Sequence, residues 1–336
     1  MTHAPFDASD PALFPVDFDV QRGEVGLLPL SSEVVAKASF LDQRGIGDCS
    51  HALRKPWQAL RTDDERPRLA WLFHTAFCGS TLLSRALQAP PEAVSLREPQ
   101  ALLRFAHAAA SVGADAIEPP LHVVVQLLAR PWTAGGRVLA KPTNQVNNLL
   151  PSLLRLTRGT SILLHSSLPE FITSCCKKLP EAEQFVLWSA RHLLRGSRLR
   201  QALGVPWDHP FHFVEACVLA WQAQMELYAD ALANDRDDRL RSLDFAALLA
   251  EPPTTVAAAA RWLTLGKDDA FWQARAGVEF HRNAKHVERA YDPARRAEER
   301  AGLAARYGPL IEAALAWNAE VVAPIASVPS NWKALC

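Results

Sequence analysis

The sequence predicts an α/β fold: a parallel sheet as the middle of three layers, with helices on both faces. Three observations predict it. Five short apolar runs of strand length recur along the chain, and most lead into residues with helical spacing. Polar and charged residues gather where those runs end, at what would be the carboxyl edge of such a sheet. The chain has 336 residues, 49% of them hydrophobic, enough to bury one large core.

Residues 1 to about 66 read as an N-terminal extension packed on a main domain of 67–336. This extension is rich in Pro, Asp and Ser at first, then in short strands and turns. Trp57 within it is a core residue or the wall of a pocket. Pro67, after the charged run from Arg61, marks the entry to the main domain. Leu69 to Phe73 is the first strand of the sheet. The chain then bends through Thr75 to Ser80, and Leu82, Leu83, Ala86 and Leu87 supply the inner face of a helix that Ala89-Pro90-Pro91 stops. Val94 to Leu96 is the second strand and delivers Glu98 to the carboxyl edge. Residues 100–130 are helical in pattern, and Gly135-Gly136 breaks them before a third strand, Arg137 to Ala140. That strand delivers Lys141 to the same edge.

Leu149 to Leu156 forms the next helix, and Thr160 to His165 is the clearest strand of the chain. Ser167 and Glu170 make a capping box, with Pro169 in the first turn, for a helix carrying Ser174, Lys177 and Lys178. A helical insertion of about 182–235 follows, the region expected to shape a pocket for a second substrate. Arg239 to Leu243 is the fifth strand, ending at Asp244. A helix from Thr254 to Leu265 is stopped by Gly266. The basic cluster His281 to His286 reads as a loop, Asp292-Pro293 caps another helix, and a last helix runs from Leu310 to about Val322.

The first strand, tight loop and helix have the layout of an anion site. The first amides of a helix lack intrahelical partners, and its dipole favours a negative group there by roughly 0.3–1 kcal/mol. Gly79 lets the backbone approach a phosphate, and the Ser80 and Thr81 hydroxyls add donors. The loop departs from the Walker pattern G-x-x-x-x-G-K-[ST], which would place its first Gly at His74 and its Lys at Ser80. Cys78, inside the loop, is a small filler or a reactive thiol.

Charge narrows the partners. Lys plus Arg equals Asp plus Glu at 36 each, so no basic excess calls for nucleic acid or a membrane surface. No apolar run reaches the roughly 18–20 residues of a membrane span, and Met1 to Asp7 resembles no secretory signal. The six cysteines show no metal-ligand spacing. Reduced thiols in a cytoplasmic protein without a metal are the expectation.

The segment Phe73-His-Thr-Ala-Phe-Cys-Gly-Ser-Thr-Leu-Leu-Ser-Arg-Ala-Leu87 resembles the 5′-phosphosulfate loop of sulfotransferases that use 3′-phosphoadenosine 5′-phosphosulfate (PAPS), in particular the Ser-Gly-[Ser/Thr]-Thr-Leu-Leu of Golgi-type and bacterial members. Arg241 to Pro252, followed by Val256 to Gly266, resembles the family's Tyr-Glu-Asp-Leu-x-x-x-Pro segment and the helix end after it. Leu164 to Lys178 is placed like the strand and helix that bind the 3′-phosphate. Together these span roughly residues 69–290.

The resemblance implies a P-loop NTPase-like fold, with PAPS as co-substrate and a hydroxyl acceptor. By position, Thr75, Ala76, Phe77, Cys78, Gly79, Ser80 and Thr81 would hold the 5′-phosphosulfate, and Ser174 the 3′-phosphate. Glu98 would be the general base and Lys141 the lysine that neutralises the sulfuryl group in flight. Two positions depart from the family. Phe77 stands where members carry Lys or Arg, and Ser166 stands where they carry Arg. Lys177, Lys178, Arg282 or Lys285 would have to compensate. Two other readings fit the same residues: another P-loop nucleotide-dependent enzyme of kinase type, and a catalytically silent relative kept as a binding protein.

Overall fold

The computed structural model describes residues 10–61, 65–206, 208–280 and 293–336. Its centre is a five-stranded parallel sheet of β4 (Ala70–His74), β5 (Ala93–Arg97), β6 (Arg137–Lys141), β7 (Ser161–His165) and β8 (Leu240–Asp244). The spatial order is β5-β6-β4-β7-β8. These are the five runs expected, displaced by no more than a residue or two at their ends. Every residue of β4 and β5 is buried, as suits strands covered on both faces.

One face carries Leu72, Leu139, Ile162 and Leu164 against the helices Ser80–Ala86, Pro252–Trp262 and Asp269–Phe280. The other carries Trp71, Phe73, Leu96, Val138 and Leu163 against the helices Gln100–Val112, Ala114–Leu128 and Leu150–Leu156. An antiparallel sheet of β1 (Leu13–Asp19), β2 (Glu24–Pro29) and β3 (Leu53–Pro56) joins this second core. Phe18 of β1 stacks on Phe105 with ring centroids 4.3 Å apart. A third apolar cluster lies among the helices Leu168–Cys176, Glu181–Leu194 and Phe213–Ala233, where Phe171, Val186 and Leu219 meet.

The strand order decides where a ligand would sit. From β4 the chain turns towards β5 on one side of the sheet, and from β7 towards β8 on the other. The loops leaving these adjacent strands diverge, and at such a switch point open α/β sheets bind their ligands. The glycine loop predicted to hold an anion begins there, with Thr75 N donating to Leu164 O at 3.2 Å. Among the described residues no helix is long and apolar enough to cross a membrane.

Candidate functional site

The loop after β4 is set by its last residue, His74. Its ring Nε2 lies 2.9 Å from Pro142 O, and Ala76 N donates to Nδ1 at 3.0 Å. A carbonyl only accepts, so Nε2 carries the proton and the imidazole is neutral. Burial, with Lys141 nearby, pushes the His74 pKa well below its usual value. The carbonyls of His74 and Thr75 accept from Asn147 Nδ2 and Gln224 Nε2, and Asn147 also donates to Gln224 Oε1 at 3.0 Å. Asn147 and Gln224 are fully buried. These two amides and His74 carry the loop from beneath.

Beyond Thr75 the backbone takes left-handed conformations at Ala76 (φ 68°), Phe77 (φ 53°) and Gly79 (φ 71°). Such residues among ordinary ones fold peptide N–H groups into a concavity of the kind that takes anions. Gly79 is required twice over. Its φ favours glycine, and a Cβ there would lie 2.3 Å from the Phe245 ring. Ser80 is buried at the start of the helix Ser80–Ala86 and Thr81 is half-buried beside it. Cys78 is fully buried, its pKa raised by burial, as a filler thiol would be.

Phe77 is enclosed by aromatic rings, Phe171 at 5.9 Å and Phe185 at 5.8 Å between centroids. Lys178 Nζ lies 3.8 Å from the Phe77 ring centroid, within cation–π range. Phe171, Ser174 and Lys178 recur at helical spacing on and just beyond the helix Leu168–Cys176. Phe171 and Lys178 both touch Phe77, and the half-buried Ser174 lies between them in the chain. At the end of β7, Ser166 is 1% exposed and its carbonyl accepts from Trp221 Nε1 at 2.9 Å. The Ser166 hydroxyl has no hydrogen-bond partner among the described residues. Buried hydroxyls are ordinarily paired. Such an orphan at the end of β7 suits a ligand with acceptor oxygens.

Glu98 and Lys141 come together. They leave adjacent strands β5 and β6, and Lys141 Nζ forms an ion pair with Glu98 Oε1. Lys141 is 1% exposed, and the Glu98 side chain is 19% exposed. Glu98 N also donates to Lys141 O at 2.7 Å. The sequence reading put Lys141 forward as charge for the loop; here its ammonium is engaged by the carboxylate beside it. Arg282 and Lys285 lie outside the described residues.

Two cavities lie elsewhere. One of about 540 Å³ is lined by Trp57, His122 and Arg155, and one of about 410 Å³ by Leu150, Asp230 and Arg239. Neither includes a loop residue, Glu98 or Lys141. Among the described residues no group of three or more His, Cys, Asp and Glu side chains is placed to hold a metal ion.

Sequence reasoning passed over His74, Asn147, Gln224 and Arg97. Amides inside apolar runs are a detectable signal, since a buried amide needs partners, but apart from Ala220 O, four residues from Gln224, the partners lie 73 or more residues away in the chain. No family model matches this chain, and no curated protein sequence matches it.

Proposed function

We propose that the protein is a sulfotransferase, moving a sulfuryl group from PAPS to a hydroxyl acceptor at the carboxyl edge of the sheet. The observation that supports this most is the Glu98–Lys141 contact, one strand away from the left-handed loop of β4. A carboxylate, an ammonium and an anion-binding loop on one edge are the groups an in-line group transfer needs.

On this reading the loop N–H groups, with the Thr75 and Ser80 hydroxyls, hold the 5′-phosphosulfate. Ser166 and Ser174 face the 3′-phosphate, and Lys178, carried over Phe77, supplies the charge that the loop itself lacks. Glu98 takes the proton of the acceptor hydroxyl. The oxygen's electron pair forms the new O–S bond, and the bond from sulfur to the donor's phosphate oxygen breaks with its pair left on that oxygen. Lys141, already against Glu98, orients the carboxylate and offers its charge to the sulfuryl oxygens. The helices Glu181–Leu194 and Phe213–Ala233 border this edge and would shape the acceptor pocket.

Calorimetric titration with adenosine 3′,5′-bisphosphate, with AMP and ATP–Mg²⁺ as controls, tests the reading. Selective bisphosphate binding that weakens in Ser174→Ala is expected. Preference for ATP–Mg²⁺ would instead indicate a kinase-type enzyme. The second reading, a silent relative, is favoured by Phe77 itself, an aromatic ring packed on Phe171 and Phe185 at the loop position where the resemblance calls for Lys or Arg. It predicts no binding of any of the three nucleotides.

A further inference from the structure

Glu98 is not held by β5 and β6 alone. Its φ of 54° puts a residue bearing a Cβ in the left-handed region, which its surroundings must impose. Three backbone hydrogen bonds do so. Glu98 N donates to Lys141 O at 2.7 Å, Leu41 N donates to Arg97 O at 2.7 Å, and Gln100 N donates to Leu41 O at 3.1 Å. Leu41, from the segment before the main sheet, therefore brackets Glu98-Pro99 between its own N–H and its own carbonyl. Its side chain is fully buried.

Arg97 anchors that segment. Its side chain is 1% exposed, yet its bonds go to neutral groups: Nε to Ala38 O at 2.8 Å, Nη2 to Ala36 O at 2.6 Å and Nη1 to Gln88 Oε1 at 3.1 Å. Gln88 Nε2 donates to the same Ala36 carbonyl at 3.1 Å. These carbonyls end the short helix Ser32–Lys37, where the last carbonyls lack intrahelical donors. Burying a guanidinium among neutral partners costs stability, so the segment it docks needs a use. Three residues beyond Leu41, Arg44 bonds Asp42 through Nε at 2.8 Å and lies 4.5 Å over the Phe40 ring. Asp42 first, and Glu98 to a lesser degree, raise the Arg44 pKa.

We propose that Arg97 is a positioning residue: by docking residues 32–41 it makes Leu41 clamp the backbone at 97–100, which sets the Glu98 carboxylate on Lys141. The N-terminal extension is then part of the site. Only the role of Glu98 as a base rests on the sulfuryl-transfer reading; the clamp does not.

Gln100→Pro is the selective test. It removes the one N–H that Leu41 O accepts, at the first residue of the helix Gln100–Val112, where proline is tolerated. Pro99, with ψ 120°, already has the conformation required before a proline. Arg97→Met removes the guanidinium, Glu98→Gln sets the labelling rate of an unpaired Lys141, and Val112→Ala, at an exposed position on the same helix, controls for general loosening. Acetylation of Lys141 by acetic anhydride is followed by peptide mass spectrometry on the folded full chain. Gln100→Pro and Arg97→Met are expected to raise the Lys141 labelling rate about tenfold or more, towards that of Glu98→Gln, with Val112→Ala unchanged. If Arg97→Met does not fold, Gln100→Pro decides alone. Lys141 labelling as slow in Gln100→Pro as in the native chain overturns the clamp. Where the native chain turns over PAPS, Gln100→Pro should lower kcat while leaving affinity for adenosine 3′,5′-bisphosphate unchanged; an unchanged kcat would deny Arg97 its positioning role. Raised labelling in a chain that neither binds the bisphosphate nor turns over PAPS retires the sulfuryl reading and leaves the clamp standing.

Discussion

Gly79 shows how much one residue carries at this edge. It has a φ of 71°, and a Cβ there would meet Phe245 Cε2 at 2.3 Å. Gly79→Ala is expected to cost about 1–3 kcal/mol of stability, from backbone strain and the clash together. Urea denaturation of Gly79→Ala and Gly79→Ala/Phe245→Ala separates the two. Partial recovery in the double variant is expected, and no recovery would place the whole cost in the backbone. Glu98 is the second such residue. If it is the base, Glu98→Gln lowers kcat by about 10²–10⁴ and spares bisphosphate binding. A near-native kcat would remove it from the mechanism. Neither Phe77 nor Ser166 carries the charge that the sulfotransferase pattern places there. Lys178, 3.8 Å from the Phe77 ring centroid, reaches the loop from another element.

Among elements, the loop depends on partners that are remote in the chain. Asn147, in the 3-10 helix Asn144–Leu149, bonds the His74 carbonyl and Gln224; Gln224, on the helix Phe213–Ala233, bonds the Thr75 carbonyl. Asn147→Ala would leave the His74 carbonyl and Gln224 Oε1 without this donor in a fully buried place. A loss of about 1–3 kcal/mol is expected on that ground. The check is urea denaturation together with amide exchange at residues 75–79, which should quicken more than exchange in β5. Equal quickening throughout the sheet would mean that the amide serves general stability and not the loop. His74 belongs to the same layer, its neutral ring bridging Pro142 and Ala76 across two loops.

At the scale of the whole molecule, the antiparallel sheet and the parallel sheet share one apolar core. Phe14, Phe18, Leu27 and Leu41 pack in the cluster that holds Trp71, Phe105 and Leu163. Removing residues 1–60 would expose that face, and the shortened chain is expected to lose cooperative unfolding in a thermal melt. A cooperative melt near the native Tm would show that the parallel sheet stands alone.

Acid stability is also a property of the whole. Burial lowers the pKa of His74, His107, His165 and His192, to about 4 for His192. A histidine whose folded pKa lies below its unfolded value of about 6.5 contributes its full stability above that pH. The contribution is lost as pH falls from about 6.5 towards the folded pKa. Urea denaturation between pH 7.5 and pH 4.5 should therefore show stability falling with acidification, and more shallowly in His192→Gln. An unchanged slope in that variant would acquit His192.

Much of the architecture was legible in the sequence because the signals involved are local. Five apolar runs of strand length became β4 to β8, and Ser167 caps its helix by accepting from Glu170 N at 3.4 Å. The glycine loop, Glu98 and Lys141 were placed at one edge because chain direction alone puts strand ends there. By itself the sequence determined the five strands of the parallel sheet and which polar residues leave it at its carboxyl side; it did not mark the helix Asp269–Phe280, and one helix, Pro293–Trp317, runs through Leu310 where a separate last helix was expected to begin. Tertiary structure alone decided that Lys141 pairs with Glu98, that Lys178 lies over Phe77, and that Leu41 brackets Glu98. Those contacts join residues 43, 101 and 57 positions apart, and no local periodicity encodes them. They exist because packing the elements against one another leaves each buried charge and carbonyl a limited set of partners, and the chain must satisfy them there.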